Sequence, residues 1–162
     1  MTAKVSIKII TSTQKLHLIN SGNLVSSFEV STSRYGIGQK QNSYQTPLGL
    51  HVIRAKIGST CPKNAVFKAR RWKGAIYKPD DKIADPILTR ILWLSGLEVG
   101  YNRLGDVDTM KRYIYIHGTP DINMLGKPMS MGCIRMSSND VITLFDAVQI
   151  GTKVEVIEHE DT

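Results

Sequence analysis

Two side chains in this sequence have the chemistry of a nucleophile and its base. In "YIYIHGTPDINMLGKPMSMGCIRM" (113–136), His117 and Cys133 stand sixteen residues apart at opposite ends of a loop-like stretch. A thiol is mostly protonated at neutral pH and attacks as the thiolate, so it needs a base or a positive field beside it. His117 is a suitable base if the loop brings its far end back to the strand that carries the histidine. Gly132 lets the backbone come close to a substrate carbonyl. The N–H groups of Gly132 and Cys133 could then form an oxyanion hole, where one donor contributes about 3 kcal/mol. Arg135, two residues on, offers a two-pronged grip on a carboxylate. The residue types alone leave a second reading open: a buried core thiol and a histidine satisfied by backbone. Cys61 and Cys133 are the only cysteines and have no CxxC spacing, so a metal site is not expected. "GIG" (36–38) has no GxxG continuation and no helix after it, so no phosphate-binding cofactor is expected either.

These residues need strands to place them. "KVSIKII" (4–10) and "KLHLIN" (15–20) alternate with period two, "NSGN" is a turn, and "LVSSFEV" (24–30) pairs back. "STSRYGIGQKQNSYQTPLG" (31–49) is a long polar loop, and "LHVIRAKI" (50–57) is the next strand. Residues 58–86 read as an irregular, basic excursion, and "ILTRILWLSGLEVG" (87–100) as a strand. "RYIYIHG" (112–118) alternates and delivers His117 at its C-terminal end. One helix is expected at about 139–149, in "SSNDVITLFDAVQIG": Ser and Asn are capping candidates and Asp140 suits the positive N-terminal end. Val141, Leu144, Phe145 and Val148 make one apolar stripe, and Gly151 is the expected stop. "TKVEVIE" (152–158) closes the chain as a strand. Six or seven strands and one helix predict a mostly-β sandwich or partial barrel, a single domain over 1–162 with its core at about 4–158.

The bulk composition is that of an ordinary globular protein: 41% hydrophobic, 22% charged, net charge +7. That charge suits nucleic acid or a carboxylate-rich ligand. The basic residues are scattered, however, with only "KARRWKG" (68–74) concentrated, so a nucleic-acid role is not favoured. No run is apolar and long enough to span a membrane, and the start "MTAKVSIKIITSTQ" has no signal-peptide pattern, so a cytoplasmic location is expected, with a periplasmic or cell-wall one as the alternative if an export signal has been removed. Among the lesser candidates, His51 reads as a half-exposed strand residue, Cys61 as incidental, and His159 as part of a frayed tail. Tyr101, Asn102 and Arg103 could line a cleft. Arg70 and Arg71 could meet an anionic peptide, but the favoured reading is that they are plain surface residues.

"IHGTP" followed by "LGKPMSMGCIRMSSNDVITLFDAVQIGTKVEVIE" resembles the catalytic core of the L,D-transpeptidase (YkuD-type) family. "KLHLINSGNLVSSFEVSTSRYGIGQKQNSYQTPLGLHVI" resembles the family's opening hairpin, its "VST", a glycine loop and "TPLG". The resemblance covers about residues 4–158 and is weakest over 58–86. It implies that Cys133 is the nucleophile, His117 the base, and the Gly118 carbonyl the group that orients the imidazole. Ser130 and Gly132 match the signature, and Arg135 stands at the substrate-binding Asn/Arg position. Met131 departs from it, replacing a histidine beside the nucleophile. Tyr101 is a further substrate-side candidate. The implied reaction is acyl transfer on peptidoglycan stem peptides through a thioester. With water as acceptor the enzyme is an L,D-carboxypeptidase trimming the terminal D-Ala from recycled tetrapeptides or muropeptides, the reading favoured by the expected location. With an amine as acceptor it is an L,D-transpeptidase making 3–3 crosslinks or exchanging D-amino acids. The resemblance also implies thioester formation with carbapenems. A non-catalytic stem-peptide-binding module is the minor alternative, and it would have no use for the thiol.

Overall fold

The computed structural model describes residues 4–160. Ten strands and one helix follow in chain order. They are β1 (Val5–Ile10), β2 (Lys15–Asn20), β3 (Asn23–Glu29), β4 (Gly49–Ile57), β5 (Ala65–Lys68), β6 (Arg71–Ile76), β7 (Ile87–Gly96), β8 (Tyr115–Gly118), β9 (Ile134–Met136), α1 (Ser138–Ala147) and β10 (Lys153–Ile157). The strands form one hydrogen-bonded sheet in the order β3-β2-β1-β10-β4-β7-β5-β6, and β8 branches off β7 to carry β9. The expected mostly-β architecture with one main helix is borne out.

Alternation writes the sheet's two faces. Ile7 and Ile9 of β1, Leu16 and Leu18 of β2, and Val154 and Val156 of β10 point one way and are buried. They share a single core cluster with Ile116, Ile134 and Met136 of the β8–β9 branch, so the sheet must wrap round to bring its two ends together. Helix α1 packs on β7 and β8 with Val141, Leu144 and Phe145 buried. Ser137 caps it by accepting from the Asp140 N–H at 3.1 Å. The helix ends at Ala147 rather than at Gly151, because Val148 turns to extended backbone. The Val148 carbonyl accepts from Lys56 Nζ at 2.7 Å, a cation at the negative end of the helix.

Ten strands form where six or seven were expected, and two further expectations fail. Residues 58–86 are not irregular throughout: β5 and β6 form a hairpin there, with β5 also paired to β7. β6 is exposed at every residue, so it has no buried face and no alternation to read. His51 is not half-exposed but wholly buried, because β4 lies between β10 and β7 and is covered on its far side by the chain at Thr109.

Candidate active site

β8 and β9 run parallel, with Ile116 opposite Ile134, His117 opposite Arg135 and Gly118 opposite Met136. The period of two splits this pair cleanly. Ile114, Ile116, Ile134 and Met136 enter the main core. Tyr115, His117, Cys133 and Arg135 therefore share the other face. The loop between the strands does return, and the predicted pair lies on one surface.

A strap holds that loop. Ser31 and Arg135 exchange both backbone hydrogen bonds at 2.9 Å, and the Ser130 N–H donates to the Thr32 carbonyl at 2.8 Å. Thr46 Oγ1 accepts from the Ser33 N–H at 3.0 Å and donates to the Gly132 carbonyl at 2.9 Å. The "VST" and "TPLG" stretches are thus the clamps of the cysteine loop. Gly132 has φ +125, a conformation L-residues avoid, and a Cβ there would press on Ile114 at 3.3 Å. Ser130 Oγ donates to the Cys133 carbonyl at 2.6 Å and accepts from the Gly132 N–H at 3.2 Å. Of the two expected oxyanion donors, the Gly132 N–H is therefore already engaged. The Cys133 N–H has no acceptor among the described residues.

His117 is 2% exposed, and its Nδ1 lies 2.7 Å from the Gly118 carbonyl. A carbonyl can only accept, so Nδ1 carries the proton and Nε2 keeps a lone pair with no partner among the described residues. Burial holds the imidazole below its ordinary pKa, against the upward pull of the Gly118 bond and Asp85. Gly118 is required twice over, since a Cβ there would come within 2.6 Å of the Leu88 carbonyl.

Cys133 is half-buried, its sulfur accepting from the Tyr115 N–H at 3.3 Å and donating to the Tyr113 carbonyl at 3.4 Å. Burial pushes the thiol up to about 12, outweighing the Tyr115 N–H and the positive charges of Arg112 and Arg135, with Asp85 adding to the rise. No hydrogen bond joins it to His117 in this state. Thiol and imidazole are both neutral.

The remaining candidates divide. Arg135 is 3% exposed, and its Nη1 meets Asp85 at 3.0 Å and Asp121 at 3.3 Å. Its Nη2 approaches Ser31 Oγ at 3.5 Å, and its Nε is buried without a partner among the described residues. The Nη1 end of the expected carboxylate grip is thus taken by two side chains of the protein. Met131 is 46% exposed and lines a solvent-open cleft of about 520 Å³ with Tyr44, Lys111, Arg112 and Tyr113. Tyr101 lies on the turn after β7 and packs over Gly49, and Asn102 is buried with its amide on the Leu48 and Leu50 carbonyls. Both brace that turn on β4 and are not brought to the cysteine. Cys61 lies at the edge of a small cluster with Tyr115 and Cys133, its carbonyl accepting from Arg90.

The sequence singled out neither Asp85, Asp121 and Arg112 nor the tyrosines flanking the thiol. None sits in a motif. Only Tyr113 and Tyr115 carried a signal, as the alternate residues of the strand that ends in His117.

The family model for the L,D-transpeptidase catalytic domain (YkuD) matches residues 4–156. A YkuD protein of Bacillus subtilis (strain 168) is 46% identical over 46 residues, 28% of each chain. The probable L,D-transpeptidase ErfK/SrfK of Escherichia coli (strain K12) is 43% identical over 47 residues, 29% of this chain and 15% of that one. Among solved structures, L,D-transpeptidase LdtMt1 in complex with imipenem superposes with a TM-score of 0.60 at 19% identity, covering 96% of this chain and 59% of that one. L,D-transpeptidase 3 of Mycobacterium tuberculosis with a faropenem-derived adduct gives 0.61 at 19% identity, covering 96% and 61%. At such identity the likeness is one of fold. The matches span less than a third of the curated relatives' length and about three fifths of the solved chains.

Proposed function

The chain belongs to the L,D-transpeptidase catalytic domain family, and from that premise we propose that it is a cysteine acyl-transfer enzyme working on peptidoglycan stem tetrapeptides, with the stretch from about 4 to 158 as one catalytic unit. The observation that carries this reading is the state of His117: Nδ1–H anchored on Gly118, Nε2 free, on the face that holds the Cys133 sulfur.

The neutral pair dictates when the proton moves. Burial disfavours both the thiolate and the imidazolium, so in the free enzyme handing the proton from Cys133 to His117 is uphill. A preformed thiolate–imidazolium pair is therefore scarce, and His117 Nε2 takes the proton as sulfur attacks the carbonyl carbon of the diamino acid at position three. The oxyanion turns to the Cys133 N–H, the donor without an internal acceptor. As the tetrahedral species collapses, the C–N bond breaks and the departing D-Ala amine takes the proton from His117. A thioester on Cys133 remains. His117 then draws a proton from the acceptor as its oxygen or nitrogen attacks the thioester carbonyl; the C–S bond breaks, the product leaves, and the proton returns to sulfur.

We favour water as the acceptor. The cleft beside Met131 presents Lys111 and Arg112, a field that disfavours an incoming ammonium and is indifferent to water. This makes the reaction an L,D-carboxypeptidase step releasing tripeptide. The transpeptidase reading is supported by the activity in the relatives' names. Purified protein incubated with disaccharide-free tetrapeptide, with and without an added D-amino acid, separates the two by mass spectrometry. Tripeptide alone, even with acceptor present, supports hydrolysis, and exchange or dimer formation supports transpeptidation. Absence of D-Ala release in every arm sinks the proposal. A carbapenem should add its mass to Cys133 and not to Cys61, in line with the imipenem complex of LdtMt1.

A further inference from the structure

Arg70 sits at the tip of the β5–β6 hairpin, where Ala69 and Arg70 both have positive φ (47° and 63°), the two-residue turn that suits a right-twisted hairpin. Asn, Asp and Gly are the usual occupants of such a turn, and an arginine there is unusual. The turn aims the side chain back over the sheet. Arg70 Nη1 donates to the Tyr115 hydroxyl at 3.0 Å, and the guanidinium carbon lies 4.9 Å from the Trp93 ring centre and 5.0 Å from that of Tyr113. Trp93 is fixed in turn by its Nε1–H on the Met110 carbonyl at 3.1 Å and by an edge-on contact with Tyr115 at 5.7 Å.

The same two tyrosines hold the nucleophile. The Tyr115 N–H and the Tyr113 carbonyl grip the Cys133 sulfur, while their side chains carry the Arg70 guanidinium. One tyrosine side chain separates the cation from the thiol. Arg70 has no carboxylate partner among the described residues. One guanidinium donor is used and the rest are open, on an aromatic platform that favours a cation. Arg135 is the opposite case: buried, with its Nη1 held by Asp85 and Asp121.

We propose that Arg70 binds the free carboxylate of the residue that Cys133 expels, and so makes the enzyme specific for peptides ending one residue past the scissile bond. This rests on the acyl-donor reading above. One residue spans about 3.5 Å of extended chain, so a terminal carboxylate one residue beyond the attacked carbonyl lies a tyrosine's length from the sulfur. A longer peptide places an amide against the guanidinium and loses the charged contact.

The test compares tetrapeptide free acid with its C-terminal amide as substrates for the wild type, Arg70→Lys and Arg70→Met. Thermal melts show that the variants fold. The wild type should prefer the acid by 10- to 100-fold in kcat/KM. Arg70→Met should lose that preference through KM on the acid while leaving the amide unchanged, and Arg70→Lys should recover part of it. An acid-to-amide ratio that stays the same in Arg70→Met overturns the assignment. So does a wild type that consumes both peptides equally, and in that case the acyl-transfer reading stands. Calorimetric titration of Cys133→Ser with each peptide reads binding without turnover. If it binds neither and the wild type consumes neither, the stem-peptide reading falls and the Arg70 role falls with it.

Discussion

The protein has two buried histidines built almost alike, and they differ at a single ring nitrogen. His51, on β4, is wholly buried, with Nδ1 3.0 Å from the Gly49 carbonyl. His117, on β8, is 2% exposed, with Nδ1 2.7 Å from the Gly118 carbonyl. Both carry their proton on Nδ1, and burial lowers the pKa of both. The difference is the other nitrogen. His51 Nε2 accepts from Thr109 Oγ1 at 2.9 Å, a buried hydroxyl, while His117 Nε2 has no partner among the described residues and shares its face with a thiol. Neither a shifted pKa nor a fixed tautomer makes a general base; an unoccupied lone pair facing a proton donor does.

The largest test of that contrast removes each chemical group in turn. Cys133→Ala should abolish turnover and thioester formation with the fold retained, and His117→Gln should lower kcat by about 10²- to 10⁴-fold, the usual share of a general base. His51→Gln should leave kcat within about twofold and instead lower the unfolding free energy by about 1–3 kcal/mol, by breaking a satisfied buried network. Single-turnover kinetics and urea melts on the same proteins read both quantities. Turnover retained in Cys133→Ala would end the mechanism, and a kcat collapse in His51→Gln would end the contrast.

Acid should affect the two sites in distinguishable ways. The unfolded chain protonates His51 near 6.5 and the folded chain only near 4, so its contribution to stability is complete above 6.5 and is lost as pH falls toward 4. The full loss is about 3 kcal/mol. His117 shifts in the same direction, so it remains an unprotonated base below 6.5 and the acid limb of kcat/KM should lie there. Urea midpoints measured across the same pH series separate loss of the base from loss of the fold.

A smaller effect sharpens the picture around the thiol. Asp85 raises the Cys133 pKa and occupies Arg135 Nη1. Asp85→Asn should speed iodoacetamide alkylation of Cys133 about two- to fivefold at a fixed alkaline pH. An unchanged rate would show that burial alone sets the thiol's resistance.

Much of this was legible in the residues. Strands with one face on the core alternate, and β2 lies where "KLHLIN" placed it, at Lys15–Asn20. The hairpin β5–β6 was not legible, because β6 buries no face and its tip turns on arginine and alanine rather than glycine. β9 was only half legible: three residues are too few for a period, and its strand character comes from partners on β8 and at Ser31. His51 was misjudged because an alternating strand reports which residues share a face, not what covers that face.

The division follows contact range. Sequence patterns encode what residues a few positions apart do together, so the strand ending in His117–Gly118, the glycine before Cys133 and the capped helix after it were all determined locally. Which groups are free was decided by partners far along the chain. Thr109 occupies His51 from 58 residues away, and Asp85 and Asp121 hold Arg135 from 50 and 14 residues away. Arg70 reaches Tyr115 across 45 residues. A hydrogen bond or ion pair of that range leaves no periodic trace, because only packing of the finished sheet brings its ends together.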